Sequence, residues 1–116
     1  GQPTPTTVER APDGKTIAEV FAGAATLSGK AVSVRARVVK FNAAIMGKNW
    51  LHLQDGSGDS ATKTHDLTVT TAGTATVGDV VLVKGILATD KDFGAGYSYP
   101  VILEDASISQ STKAKK

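Results

Sequence analysis

GKAVSVRARVVKFNAAIMGKNWLHLQDGSG, residues 29–58, sets the period of the chain at two. Val32, Val34, Ala36 and Val38 alternate with Ser33, Arg35, Arg37 and Val39, which predicts a long strand from about residue 30 with one buried face. The alternation resumes over 49–55, where Leu51 and Leu53 are opposite in parity to Trp50, His52 and Gln54. Asp55-Gly56-Ser57-Gly58 then supplies a strong turn signal.

Downstream, Leu67 and Val69 alternate with Thr68 and Thr70, predicting a third strand over 66–71. Residues 72–76 form a short polar connection. A fourth strand is predicted over 80–89, with Gly85 inside it marking a bend or bulge of the kind that lets a sheet curl. The glycine-rich loop of residues 92–97 leads to a fifth strand over 98–107. Upstream, Ile17, Val20, Phe21, Ala24 and Leu27 recur as one face of a helix over 16–27, with Thr16 and Glu19 spaced as a capping box. Residues 1–14 hold three of the four prolines and read as a flexible linker. Residues 15–109 read as the folded domain and 110–116 as a basic, frayed tail.

A helix followed by five strands, the first long and the fourth interrupted by glycine, predicts an all-β fold. The fold expected is a five-stranded β-barrel of OB type with one short N-terminal helix across one end. Closure would bury the alternating apolar face and remove exposed edges. A β-sandwich usually needs about seven strands.

Composition narrows the function. The 116 residues suffice for one domain, and 41% apolar with 21% charged residues is ordinary for a chain that folds. The chain has no cysteine, which excludes disulfides, thiolate metal sites and a cysteine nucleophile. The net charge of +2 belongs to the tail: without Lys113, Lys115 and Lys116, ten basic residues face eleven acidic ones. A phosphate-tracking domain would carry its excess positive charge on a folded face. No stretch approaches the ~20 apolar residues of a membrane span, and residues 1–14 lack the charged and apolar regions of a signal peptide. The start at Gly1, without Met, suggests a processed or trimmed N-terminus, for which a mature exported protein is one explanation and an artificial start the other.

The block at 29–58, with DLTVTT (66–71), VGDVVLVKG (77–85) and DKDFGAGYSYPVILEDA (90–106), resembles small exported bacterial OB-fold proteins. These include proteins associated with cytochrome c nitrite reductase systems and other respiratory cytochromes. The resemblance covers about residues 15–109. It implies an OB fold, export to the periplasm or beyond, and a helix placed before the first strand. It carries over no catalytic residue and no cofactor.

OB domains bind on the face of strands two and three, between the loops joining strands one to two and four to five. Of the six aromatic residues, Phe41 and Trp50 bracket the first of those loops, and Phe93, Tyr97 and Tyr99 lie in or beside the second. Such rings either close the barrel ends or stack on bases and sugars. Arg35, Arg37, Lys48, His52 and Gln54 share the expected outward parity with Thr68 and Thr70, and form either a solvated face or a site for an anion or polar polymer. Met46, His52 and His65, with Asp66, are weak candidates for a metal site, because imidazole and thioether suit copper and imidazole with carboxylate suits zinc. Their spacing matches no compact motif, and the two histidines differ in parity.

No nucleophile elbow, recognisable acidic pair or dinucleotide fingerprint is present, and Asp55, Asp59 and Asp79 read as turn formers. The expectation is therefore a non-catalytic binding module, without cofactor, for a ligand or protein partner of an envelope or respiratory system. Single-stranded nucleic-acid binding through the aromatic loops is the alternative, against which the neutral body argues. Self-assembly by strand addition is a third reading.

Overall fold

The computed structural model describes residues 8–94 and 96–112. Two short helices, α1 (Ile17–Ala22) and α2 (Ala24–Leu27), precede five strands: β1 (Ala31–Ile45), β2 (Lys48–Gln54), β3 (Leu67–Thr71), β4 (Val80–Asp92) and β5 (Ser98–Thr112). The strands make one sheet in the order β1-β2-β3-β5-β4, and β4 returns to β1 so that the sheet closes on itself. Every pairing is antiparallel except β3 with β5. No helix among the described residues is long and apolar enough to cross a membrane.

The alternation in the sequence is the inside of this closed sheet. Val32, Val34, Ala36 and Val38 of β1 meet Leu51 and Leu53 of β2, Leu67 and Val69 of β3, and Val81, Val83 and Leu87 of β4 in one buried cluster. β5 joins through Val101 and Leu103 and then, one residue out of step, Ala106. The step is a bulge: between Lys84 and Ile86 on β4, the β5 partners run from Ser107 to Glu104. Asp105, at φ 53°, is the extra residue, and Gly85 stands opposite. A Cβ on Gly85 would lie 2.6 Å from the Glu104 carbonyl oxygen, so this glycine is required by a close backbone approach.

The helix predicted over 16–27 forms as two pieces, split at Gly23. That glycine, at φ −101° and ψ 14°, caps the first piece. The capping box forms as predicted, with the Glu19 N–H donating to Thr16 Oγ1 and the Thr16 N–H to Glu19 Oε1. Ile17 and Val20 enter the core, with Phe21 and Leu27 packed against its edge. The N-terminus of α1 is also held from a distance. Asp55, read from sequence as a turn former, is buried and accepts the Ile17 N–H at 3.0 Å, while Ser57 Oγ accepts the Ala18 N–H at 2.9 Å. These bonds satisfy helix-terminal donors that have no intrahelical partner.

Pairing extends the strands beyond their sequence limits. β1 continues to Ile45 because β2 pairs with it as far as Ile45–Lys48. β4 reaches Asp92 and β5 Thr112 because they pair with each other along their whole length. Residues 110–112 of the stretch read as a tail thus belong to β5; residues 113–116 lie outside the described residues. In the stretch read as a linker, Ala11 is buried and the Val8 N–H donates to the Asp55 carbonyl; just after it, the Lys15 N–H donates to the Ser33 carbonyl. Residues 1–7 lie outside the described residues.

Candidate functional site

β2 is buried on both faces at Trp50 and Leu51. Leu51 and Leu53 point into the core, and Trp50, of opposite parity, is only 3% exposed on the outside. Three rings from the end of β4–β5 cover it: Phe93, Tyr97 and Tyr99 have ring centroids 5.3, 5.9 and 5.8 Å from that of Trp50. The indole N–H donates to the Ile45 carbonyl at 2.8 Å. Lys48 and Lys91 place their ammonium groups 5.4 and 5.7 Å from the Phe93 centroid, in cation–π range. The aromatic residues predicted to flank the two loops do converge, but on one another. Trp50 is the floor of a small outer core and offers no open face for stacking. Phe41, on β1, packs against the edge of the inner core.

Beside this ring cluster, on the outer side of β2 and β3, lies a cleft of about 470 Å³. Its walls include His52 from β2, Thr68 from β3, Tyr99 and Val101 from β5, Phe21 from α1, and Lys63, His65 and Asp66 from the β2–β3 connection. That connection is internally hydrogen-bonded. The Asp59 carbonyl accepts the N–H groups of Thr62 and Thr64, and Thr64 Oγ1 accepts the Asp59 N–H. Gly58 is pressed against the Thr64 backbone so closely that a Cβ would overlap it. Lys63 follows in the left-handed region, at φ 59°, which a non-glycine residue holds only when its surroundings enforce it.

The polar groups of the cleft are partly spent. Asp66 Oδ1 lies 2.8 Å from His52 Nδ1, and Asp66 Oδ2 accepts from Gln54 Nε2 at 2.9 Å. Burial alone would raise the Asp66 carboxyl. The hydrogen bonds from His52 and Gln54 and the charges of His52 and His65 outweigh it, holding the group below its ordinary value. Asp66 is therefore an ionised acceptor, and His52 Nδ1 donates to it. Burial, then the neighbouring Tyr97, pushes the Tyr99 phenol above its usual range. His65 Nδ1 is buried without a hydrogen-bond partner. Lys63 makes no ion pair among the described residues.

The expected site residues therefore divide. His52 and Thr68 line the cleft, with Gln54 bracing Asp66 from behind. Thr68 and Thr70, whose parity implied exposure, are buried, Thr70 completely. Lys48, Trp50, Phe93 and Tyr97 belong to the ring cluster next door. Arg35 and Arg37 are not brought to the cleft: β1 pairs them with Leu82 and Val80 of β4, and Arg37 donates to the Gly78 carbonyl at 2.7 Å. Arg35 lies under the segment of residues 11–14 in a separate depression of about 290 Å³.

His52 and His65 do line one cleft despite their opposite parity, because His65 stands in the connection before β3. Among the described residues no group of three His, Asp or Glu could hold a metal ion, and Met46, on the β1–β2 turn, is an exposed residue outside the cleft. Lys63 and His65 are the cleft residues sequence reading valued least. Lys63 carries no motif, and only its left-handed backbone in an ordered loop brings it to the wall. Phe21 and Tyr99 were read chiefly as closing the fold, and they do so while exposing an edge to the cleft. No protein-family model and no curated protein matches the chain.

Proposed function

We propose that the chain is a non-catalytic OB-type binding module that takes its ligand in the cleft on the outer side of β2 and β3. The cleft itself carries the reading. It lies on the face that OB domains use, falls within the size range of small-molecule sites, and joins a mainly apolar wall to a few converging polar groups. The OB assignment is supported by the closed order β1-β2-β3-β5-β4, the glycine-dependent bulge at Gly85 and the helix before β1. The His52–Asp66 pair fits a positioned hydrogen-bonding wall. The motif resemblance supports an exported setting and service to an envelope or respiratory system. Because the fold hosts many functions, the ligand follows from the site and not from the barrel. The closed order leaves no strand with a single neighbour, which counts against strand addition along a whole strand.

A saturation-transfer NMR screen of a fragment library tests this, run on the wild type and on Ser60→Trp. Ser60 is an exposed residue on the cleft rim, so the new indole obstructs the cleft without entering the core. The reading predicts hits on the wild type that the folded variant loses. Equal hits on both proteins would contradict it. So would a salt-sensitive, length-dependent change of Trp50 fluorescence with oligo-dT, which would restore the nucleic-acid reading.

A further inference from the structure

The unspent hydrogen-bonding capacity of the cleft has a sign. Both Asp66 oxygens are engaged, one by His52 and one by Gln54, so the one carboxylate among the described wall residues has its hydrogen-bonding oxygens taken by its own neighbours. What remains unpaired is the Lys63 ammonium, a pure donor, together with His65 Nδ1, a buried nitrogen with no partner. A buried polar atom left unpaired is uncommon and calls for a partner. Tyr99, which carries a hydroxyl donor, lines the same wall. Between these donors the lining is apolar, from Phe21, Tyr99, Pro100 and Val101.

Resting on the cleft being the ligand site, we propose that its occupant is a small organic anion: a ring-sized apolar body against Phe21, Tyr99 and Val101, with a carboxylate held by Lys63 and His65. An ammonium ligand would meet Lys63 and find no free carboxylate among the described wall residues. A purely apolar ligand would leave His65 Nδ1 buried and unpaired. The unpaired Lys63 ammonium and the hydrogen-bond inventory therefore select the same class.

Isothermal titration of the full chain at neutral pH with 1-naphthoate, 1-naphthylmethanol and 1-naphthylmethylammonium tests the assignment, since the three share a ring and differ in charge. Naphthoate should bind at least about tenfold more tightly than the alcohol, and the ammonium most weakly. Lys63→Gln should reduce naphthoate to the level of the alcohol, Lys30→Gln, remote from the cleft, should leave it unchanged, and Ser60→Trp should abolish binding of all three. Equal binding of naphthoate and alcohol, or tightest binding of the ammonium, would overturn the anion assignment while leaving the cleft as the site. No binding by any of the three also overturns it. In that case the fragment screen separates the two levels: hits lost in Ser60→Trp keep the cleft as the site, and their absence removes it.

Discussion

The outer face where β1 meets β4 and the outer face of β2 and β3 read alike as sequence, each alternating apolar with polar residues, yet they end differently. On the first, the chain uses its own groups to finish the surface: Arg37 is bonded to the Gly78 carbonyl, and residues 11–14 lie across Arg35. On the second, the rings of Phe93, Tyr97 and Tyr99 cover Trp50, and the ordered β2–β3 connection builds a wall with donors left over. Alternation therefore tells which side of a strand a residue occupies. Whether that side is free depends on what the connecting segments bring to it.

The sharpest way to break the comparison is to remove the ring floor. Trp50→Ala should cost about 3–5 kcal/mol, as large as a deletion from the inner core, because its indole is fully packed although it lies outside the closed sheet. Urea unfolding followed by far-UV circular dichroism reads this; a loss below about 1 kcal/mol would mean the outer cluster is a surface ornament. Next in size is Asp55→Ala, expected to cost about 1.5–3 kcal/mol by orphaning the buried Ile17 N–H, with a matching fall in the urea midpoint. Gly85→Ala should lose about 1–3 kcal/mol from the clash with the Glu104 carbonyl. An unchanged midpoint would show that the β5 bulge can relax.

Asp66 gives a smaller effect with a definite sign. Its carboxyl is held below the ordinary value in the fold, so its contribution is complete above the pKa of an unfolded aspartate. It disappears as the pH falls through the lower, folded value. Its side chain is 25% exposed, so solvent screening limits the contribution to about 1 kcal/mol or less. Asp66→Asn should accordingly lower the neutral plateau by about 1 kcal/mol or less and leave the most acidic region unchanged, which flattens the acid side of the stability profile. Smallest of all is Arg35→Met, which keeps the packing stem and removes a buried, unpartnered Nε. We expect a stability change within about 0.5 kcal/mol. A larger loss would show that the β1–β4 face depends on that charge.

Much of the fold is legible in the sequence because period and parity are local quantities. The inward set from Val32 to Val38, Leu51 and Leu53, and the capping box at Thr16 and Glu19, follow directly from spacing. Gly85 marked its bulge because a residue without Cβ inside a strand has few other reasons to be there. The site is less legible. Trp50 has outward parity and is buried all the same, since residues more than forty positions later fold over it. His52 and His65 differ in parity and share a cleft, since the connection carrying His65 turns back across the strand. Lys63 depends on an ordered loop and a left-handed backbone. These are consequences of long-range pairing that no window of neighbouring residues contains.

The central claim, that the free face is the one on β2 and β3, is tested most directly by a ¹H–¹⁵N correlation map recorded while a fragment pool is titrated in. The account predicts shifts at the amides of residues 52, 60–68 and 99–101, with those of residues 33–37 and 82–84 unmoved. Shifts centred instead on residues 33–37 and 82–84 would place the binding face under the N-terminal segment and contradict it.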